Sequence, residues 1–476
     1  MVEQSARQNR QRRLGARMDG LATIHDRILE APFCGRGDAS DRRLGKGRFM
    51  KALLVNSQHP DASHIGAVRA ARFAAGLAHR GHKVVLLTPV FDRDQSANWR
   101  HFEKELLLRR DWSEPMLVTH PMPIDGATPR KGRRAGAVIR KATTATALVF
   151  GNGTAAARVA ASRPVWRPLI EGFRPDIVWS TFGDTSNLIA ARSIARLADA
   201  PWIMDLKDNW EAFVPCGLRR IVAWRFRDAS RVTSNADYHA RSAVRWHRRP
   251  ITTIYSGVAP EMIASGDRGG TEKFRITLVG GTRGSPDLPR LLSNLQQWIE
   301  RRPNDERAKI MFCYAGGSAD EVTAAVRDAR LTCAIDIQKY LSLTDLGRFC
   351  QEAALNCYLW DKTTFHHKLL ELLACRRPVV AYPGEHEESV ALARMVGGSL
   401  CLCADSIDVA AALDDAWKSW AGAPRRSVSI EVDAFSWDMM TARLETLMLE
   451  AIDERSMVPS RGDRVERRRH ERVEFF

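Results

Sequence analysis

The chain has 476 residues, with 72 Lys and Arg against 56 Asp and Glu, and a formal net charge of +16. This length is too great for one hydrophobic core and predicts two domains with extensions. No apolar run reaches the ~18 residues that span a bilayer, no signal-peptide core is present, and the nine cysteines lack zinc-like spacing. We therefore expect a reduced, cytoplasmic protein without a bound metal.

Both ends of the chain are rich in basic residues. Residues 1–50 carry eleven Lys and Arg against six acids, and a run of three arginines begins at Arg467. Such segments stay solvated, so we expect residues 1–49 and 454–476 to be disordered. We further expect residues 1–49 to be a dispensable extension, or the result of a start codon assigned too far upstream.

The first regular pattern is a strand, a helix and a second strand. Lys51–Asn56 is a continuous apolar run, as expected of a buried parallel strand. A helical pattern follows over Ala67–Arg80 and ends at Gly81, and His82–Thr88 is the next strand pattern. This βαβ order predicts a right-handed crossover within a parallel sheet.

Residues 90–165 have little periodicity and many charges. Arg130–Arg134 and Arg140-Lys141 flank small apolar residues that lead to Ala147–Phe150. A basic, mildly amphipathic segment of this kind fits an anionic membrane surface. A solvated helix face is the alternative and the favoured interpretation.

Two aspartates follow the next apolar strands. After a strand pattern over Ile177–Ser180 and a helical pattern over Asn187–Ala198, an apolar strand from Pro201 leads to Asp205 and Asp208. This position predicts that both carboxylates lie on the rim where open α/β sheets bind ligands. The alternative is that they cap the helix that follows.

A Gly-rich stretch over Ser265–Thr271 is the expected linker to a second domain. The strand pattern Phe274–Val279 then runs directly into Gly280 and Gly281, with Arg283 close behind. Glycines at the end of a strand let a phosphate approach the backbone, and an adjacent cation supplies charge.

The next strand patterns cover Lys309–Ala315 and Leu355–Trp360, with a helical pattern over Thr344–Glu352 between them. A short leucine-rich helix with Lys368 and Glu371 follows. These two residues are three apart and therefore share a helix face. A carboxylate at the carboxyl edge of a parallel sheet can accept hydrogen bonds from two sugar hydroxyls. A salt bridge between the two side chains is the alternative.

This helix and the strand after it resemble the donor-binding segment of retaining glycosyltransferases of the GT-B fold, specifically family four. Relatives carry K-x-x-E followed by Leu-Ala-x-x-x-Pro-Val-Val, and this chain has Lys368–Glu371 and Pro378–Val380. Similar family motifs stand at His79–Val84 and Pro201–Trp210. The resemblance covers about residues 50–452 and rests on the order of the motifs.

The resemblance implies an α/β architecture of two Rossmann-like, doubly wound parallel-sheet domains that face a cleft. Residues 50–265 would form the acceptor domain and residues 266–435 the nucleotide-sugar domain. A helix over 436–453 would cross back to the first domain.

Carried onto this sequence, the family pattern places Glu371 on the nucleotide ribose, with Lys368 and Arg283 near the diphosphate. Backbone contacts to the donor are expected at Gly66, Gly280 and Gly281. Many relatives have a second Glu eight residues before the first, where this chain has Thr363.

The sequence indicates the catalytic residues less clearly than the donor-binding residues. Relatives often carry a His after the strand that corresponds to Ile177–Ser180, whereas this chain has none over Thr181–Ser186. The polar candidates are His64, Asp184 and Asp208, each with a purely structural alternative. No metal is expected, because basic side chains and helix N-termini can balance a leaving diphosphate.

The expected function is transfer of a sugar from a nucleotide-diphosphate donor to a glycan, lipid-linked or small-molecule acceptor, with retention of configuration. The setting would be cell-envelope or exopolysaccharide synthesis in the cytoplasm, including the inner face of the membrane, with the nucleotide sugar as co-substrate and no cofactor. One alternative is a silent scaffold or a nucleotide-sugar epimerase of the same fold. Another is a basic nucleic-acid-binding protein, although no aromatic-basic recognition module is present and no specific nucleic-acid partner is expected.

Overall fold

The computed structural model describes residues 48–62, 65–92, 95–122, 154–183, 185–264, 272–282, 284–360, 365–422 and 430–457. These residues form two compact units. The first comprises Arg48–Gly257 and the segment that starts at Asp433, and the second comprises Val258–Val432. The basic ends and the segment Arg130–Arg134 lie outside the described residues, as do the predictions made for them.

The first unit is built on one parallel sheet. Its strands are β1 (Lys51–Val55), β2 (Lys83–Pro89), β3 (Met116–His120), β4 (Ile177–Thr181), β5 (Trp202–Leu206), β6 (Arg231–Ser234) and β7 (Thr252–Thr253). Its helices are α1 (Ile65–His79), α2 (Phe102–Leu108), α3 (Thr154–Arg167), α4 (Thr185–Leu197), α5 (Trp210–Phe213), α6 (Arg219–Arg225) and α7 (Asp237–His247), with single turns at Asn98–His101, Pro168–Phe173 and Cys216–Leu218. The strand order is β3-β2-β1-β4-β5-β6-β7, and all neighbours are parallel.

The second unit repeats this plan with six parallel strands. They are β8 (Phe274–Val279), β9 (Ile310–Ala315), β10 (Ala334–Gln338), β11 (Leu355–Trp360), β12 (Val379–Pro383) and β13 (Leu400–Leu402). The helices are α8 (Asp287–Glu300), α9 (Asn304–Arg307), α10 (Ala319–Asp328), α11 (Leu343–Gln351), α12 (Lys368–Ala374), α13 (Glu387–Met395) and α14 (Ser406–Ala421), with a turn at Pro260–Met262. The strand order is β10-β9-β8-β11-β12-β13. The expected pair of parallel α/β sheets is therefore confirmed.

Burial explains why the strand patterns read as continuous apolar runs. β4 and β5 are buried at every position, and β1 at every position after Lys51. A strand covered on both faces has no polar side to alternate with. β3 and α2 fall in the stretch where the sequence offered no clear period, and only Phe102 of α2 is buried.

Each sheet reverses its strand order once, and that point locates the ligand edge. β1 pairs with β2 on one side and β4 on the other, and β8 pairs likewise with β9 and β11. Open α/β sheets bind ligands at the carboxyl ends of the strands that flank such a reversal. The loops after β1 and β4, and the loops after β8 and β11, therefore lie at the expected ligand edges of the two sheets.

The last helix, α15 (Trp437–Met457), follows a turn at Asp433–Phe435 and packs on α1 of the first unit. Trp437 meets Phe73 edge to face at 5.4 Å. A side chain at Gly76 would place its Cβ 2.5 Å from the Thr441 hydroxyl oxygen. Only a glycine lets these two helices approach so closely. None of the helices in the described ranges combines the length and apolarity needed to cross a bilayer.

A buried ion pair joins α1 to the sheet of the first unit. The Arg69 guanidinium donates to both oxygens of Asp205 at 2.8 and 2.9 Å, and the two side chains are 1% and 0% exposed. The Thr233 hydroxyl donates to Asp205 at 2.7 Å, and Arg69 also donates to the Ile254 carbonyl at 2.8 Å. Asp205 lies within β5 in this network, so the prediction that it lies on the ligand rim is wrong.

We expect Asp205→Asn to lower the free energy of unfolding by about 3–5 kcal/mol, because it leaves the Arg69 charge buried without its partner. The measurement is urea unfolding followed by circular dichroism. Asp228→Asn is the matched control, since Asp228 also binds an arginine, Arg192, at 2.8 Å but is 30% exposed. The control substitution should lower the free energy of unfolding by less than ~1 kcal/mol. Equal losses in both variants would contradict the account.

Candidate functional site

The glycine turn after β8 is held from the neighbouring strand. The Gly280 N–H donates to the Ala315 carbonyl at 3.0 Å, and the Tyr314 hydroxyl donates to the Gly280 carbonyl at 2.7 Å. The same hydroxyl accepts the Ser318 N–H at 3.0 Å. Gly280 has φ of +99°, a conformation that glycine adopts without strain. The turn therefore has a fixed shape before any ligand arrives.

Lys368 reaches this turn from α12. A Cβ built at residue 280 would lie 2.2 Å from the Lys368 ammonium nitrogen, so the ammonium group occupies the space that a side chain would need. The sequence predicts that both residues bind the donor, and the structure brings them together. An ammonium group beside exposed backbone at the carboxyl edge of a parallel sheet suits an anionic ligand.

A second glycine turn lies beside the first. A Cβ at Gly316 would stand 2.4 Å from the Gly280 carbonyl oxygen, and one at Gly317 would stand 2.8 Å from the Tyr340 hydroxyl. Tyr340 is 66% exposed. The sequence alone does not indicate a role for Gly316 and Gly317, because it does not show that these two turns, far apart along the chain, touch each other.

Glu321 closes the first turn. The Thr282 hydroxyl donates to its carboxylate at 2.6 Å and the Gly284 N–H at 3.1 Å, while the Thr282 N–H donates to the Ser318 hydroxyl at 3.1 Å. Gly281, between these anchors and Gly280, is exposed. Arg283 and Thr363 lie outside the described residues. The turn is thus tied to the first turn of α10 at several points.

The α12 helix presents its two polar residues at the edge of the unit. Lys368 and Glu371 are both partly exposed, whereas its four leucines are buried. The leucines anchor the helix in the unit and fix the direction of the polar face. Glu371 therefore lies on the polar, partly exposed face of α12.

A buried acid precedes α13 near the start of α12. Glu385 is 3% exposed and accepts the Tyr358 hydroxyl at 2.7 Å and the His386 N–H at 3.0 Å. The His366 ring stacks on Tyr358 at 5.1 Å, and its Nδ1 accepts the Lys368 N–H at 3.2 Å. Burial raises the pKa of Glu385 to about 8. This residue is not predicted from the sequence, where its one signal is that an acid follows Pro383-Gly384.

In the first unit, the loops after β1, β4 and β5 converge on a lysine–aspartate pair. The Lys207 ammonium lies 2.7 Å from the Asp208 carboxylate, and their side chains are 7% and 26% exposed. A Cβ at Gly183 would stand 3.5 Å from the Ser57 hydroxyl and 3.8 Å from Lys207 Cε. Asp208 therefore lies at the ligand edge, as predicted for its position.

The capping alternative for Asp208 does not hold, because the cap of α5 is its neighbour. The Asn209 side chain accepts the Glu211 N–H at 2.9 Å. Gly66 is buried within the first turn of α1, where its carbonyl accepts the Asn56 amide at 3.0 Å. His64 and Asp184 lie outside the described residues. Within those ranges no group of three His, Cys, Asp or Glu has the spacing of a metal site.

No known sequence family and no curated protein sequence matches this chain. Solved structures do resemble it. The HepE protein of Anabaena, in complex with UDP and glucose, matches with a TM-score of 0.53 at 14% identity, over 84% of this chain and 100% of that one. Sucrose-phosphate synthase from Thermosynechococcus elongatus matches with a TM-score of 0.59 at 13% identity, over 86% and 100%.

A third similar structure is the UDP-forming α,α-trehalose-phosphate synthase of Burkholderia xenovorans in complex with glucose-6-phosphate. Its TM-score is 0.57 at 11% identity, over 85% of this chain and 100% of that one. Likeness at such identities shows the fold alone. The matches confirm the GT-B fold expected from the sequence, and membership of family four stays a prediction.

The buried Glu385 predicts a pH-dependent stability. Its pKa of about 8 in the folded protein exceeds the ordinary value of 4.5, so between these values the folded state keeps a proton that the unfolded chain releases. Stability therefore falls as the pH rises through this window, by about 1.4 kcal/mol per pH unit for one group. Glu385→Gln, which removes the titration, should match the wild type at about pH 5 and exceed it at about pH 8.5.

The measurement is the thermal midpoint of both proteins across this range. Glu387→Gln is the control, because Glu387 lies two residues away and is exposed. The difference between the thermal midpoint of this control and that of the wild type should stay constant with pH. A constant difference for Glu385→Gln as well would refute the burial account.

Proposed function

We propose that this chain is a glycosyltransferase that moves a sugar from a nucleotide-diphosphate donor to a glycan, lipid-linked or small-molecule acceptor. The observation that carries the proposal is the Lys368 ammonium group over the Gly280 backbone, at the strand-order reversal of the second sheet. The fold shared with HepE and the two synthases agrees with it.

The chemistry follows from where charge develops. When the bond from the sugar to the diphosphate breaks, the leaving oxygen gains negative charge. A fixed ammonium group and fixed backbone N–H groups stabilise that charge without reorganising. We propose that Lys368 and the Gly280–Gly281 turn do this, joined by Arg283, and that no metal or cofactor is required.

We propose that Glu371 accepts hydrogen bonds from the ribose hydroxyls of the donor. A carboxylate with two oxygens can serve both hydroxyls at once. The acceptor would then bind the first unit, with Asp208, Asp184 and His64 as the polar candidates at its ligand edge. Retention of configuration remains part of the proposal on the strength of the family resemblance.

The proposed setting is the cytoplasm, at the inner face of the membrane where a lipid-linked acceptor is involved, in cell-envelope or exopolysaccharide synthesis. Eight described cysteines are free and most are buried, as expected of a reduced protein. A screen of UDP-, GDP- and dTDP-sugars for release of the nucleoside diphosphate tests the activity. Conversion of a nucleotide sugar to an isomer without an acceptor would instead identify an epimerase, and binding without turnover would identify a silent scaffold.

Glu371→Ala should weaken binding of the nucleotide sugar by roughly 10- to 100-fold, the usual loss when a charged hydrogen-bond partner is removed. Isothermal titration calorimetry with UDP-glucose, and then with the donor that the screen selects, measures this. Glu387→Ala is the control, because Glu387 is an exposed glutamate of the same unit. Unchanged affinity in Glu371→Ala would remove the ribose assignment.

Lys368→Ala should lower kcat by about 10²- to 10³-fold, since it removes one fixed donor to the developing charge. Initial rates at saturating donor measure this. Lys418→Ala is the control, because Lys418 is 76% exposed on α14. A change confined to KM would mean that Lys368 binds the ground state and the transition state equally.

A further inference from the structure

The outer helices of the first unit carry large apolar side chains that face solvent. Trp224 is 63% exposed and Ile221 46% on α6, and Val244 is 39% exposed on α7. Phe213, on α5, is also exposed. Since α7 packs against both α5 and α6, these side chains belong to one region of the surface. Clustered exposed apolar groups on a soluble fold mark an interaction site.

Their exposure is not required by the packing of these helices. α6 turns Val222 and Ala223 into the core, and α7 buries Ala240 and Ala243. The opposite face of α6 is left with Ile221 and Trp224, three residues apart. A helix that needed only to cover the core would carry polar residues there.

The same surface is strongly basic. Residues 210–250 contain nine arginines and only three acids. Glu211 lies 3.2 Å from Arg245, and Asp228 lies 2.8 Å from Arg192 outside this stretch. Arg231 pairs with Glu454, and Arg249 donates to the Ser230 carbonyl at 2.8 Å, so the positive charge that faces solvent is that of the exposed arginines of this stretch.

Three further arginines of this stretch are exposed, one on α6, one just after α6 and one on α7. They are Arg220, Arg227 and Arg241. The Arg227 guanidinium lies 4.4 Å from the centre of the Trp224 ring, which holds charge and aromatic surface together. We call the six residues Arg220, Ile221, Trp224, Arg227, Arg241 and Val244 the arginine–tryptophan face.

We infer that the arginine–tryptophan face binds an anionic lipid surface. Arginines attract acidic headgroups, and a tryptophan flanked by aliphatic side chains enters the boundary between headgroups and acyl chains. Nucleic acid would satisfy the arginines but would leave Ile221 and Val244 without apolar contact. The inference rests on the proposed function, because a position on the membrane serves transfer to a lipid-linked acceptor.

This face consists of other residues than the basic segment Arg130–Arg134, which the sequence suggested for the same partner. The apolar residues of the face lie on helices that the core holds in place. The membrane contact we propose therefore requires no folding on binding, and it should depend on apolar and basic residues together.

The test is co-sedimentation of the full-length chain with phosphatidylcholine vesicles that contain or lack phosphatidylglycerol, without donor. We expect binding only with phosphatidylglycerol. Changing Arg220, Arg227 and Arg241 together to Glu should reduce it by about tenfold or more. Arg301→Glu, Arg327→Glu and Arg443→Glu, combined in one protein, form the control, because these arginines are exposed elsewhere and the charge change is the same.

The apolar half is tested separately. Ile221→Ser with Trp224→Ser should also reduce binding by about tenfold. The control is Leu107→Ser with Leu108→Ser, a pair of exposed leucines on α2 of the same unit. The thermal midpoint and the circular dichroism spectrum of each variant report that it is folded.

Equal binding to both vesicle types, or unchanged binding in both face variants, would overturn the inference. Loss of retention on a DNA duplex in the arginine variant, with vesicle binding intact, would overturn it in favour of nucleic acid. Because no donor is present, failure here leaves transferase activity untouched, and a protein that binds vesicles but turns over no donor would separate the two proposals.

Discussion

The contact between the Lys368 ammonium group and the Gly280 backbone is the constraint around which the second unit is arranged. It requires residue 280 to lack a side chain, α12 to approach the end of β8, and β8 to lie beside β11 so that the helix after β11 can reach that end. The Tyr314 hydroxyl and the Glu321 carboxylate then hold the turn from its other side. A cation placed against fixed backbone in this way is preorganised for an anion.

The acids near the two sheet edges differ mainly in their surroundings. Glu371 is partly exposed, whereas Glu385 is buried and keeps its proton to about pH 8. Asp205 is fully buried against Arg69, while Asp208 pairs with Lys207 and remains open to solvent. A neutral acid and a buried ion pair fix the framework, and the two partly exposed carboxylates are the ones we propose as ligand-binding groups.

The sequence predicted the fold well because parallel strands that are buried on both faces leave long apolar runs between helical periods. The same patterns located Gly280 and Asp208 after strands and Lys368 on the helix that follows β11. They did not separate Asp205 from Asp208, because burial depends on Arg69, which is distant in sequence. Glu385 was missed for the same reason, since its partner Tyr358 lies on another strand and its burial leaves no local mark.

The structure also shows what surrounds some of the arginines that make the chain basic. Counted along the sequence, part of it belongs to the two ends, yet the described residues concentrate nine arginines within 210–250. Arg69, 1% exposed, shows what a buried arginine needs, which is a carboxylate and a carbonyl within 3 Å. Arg227 lies instead over the Trp224 ring, and Arg220 and Arg241 are exposed on α6 and α7. Solubility alone would account for the exposed arginines but not for the exposed apolar side chains. The proposed anionic membrane, with acidic headgroups above an apolar interior, would contact both kinds of side chain.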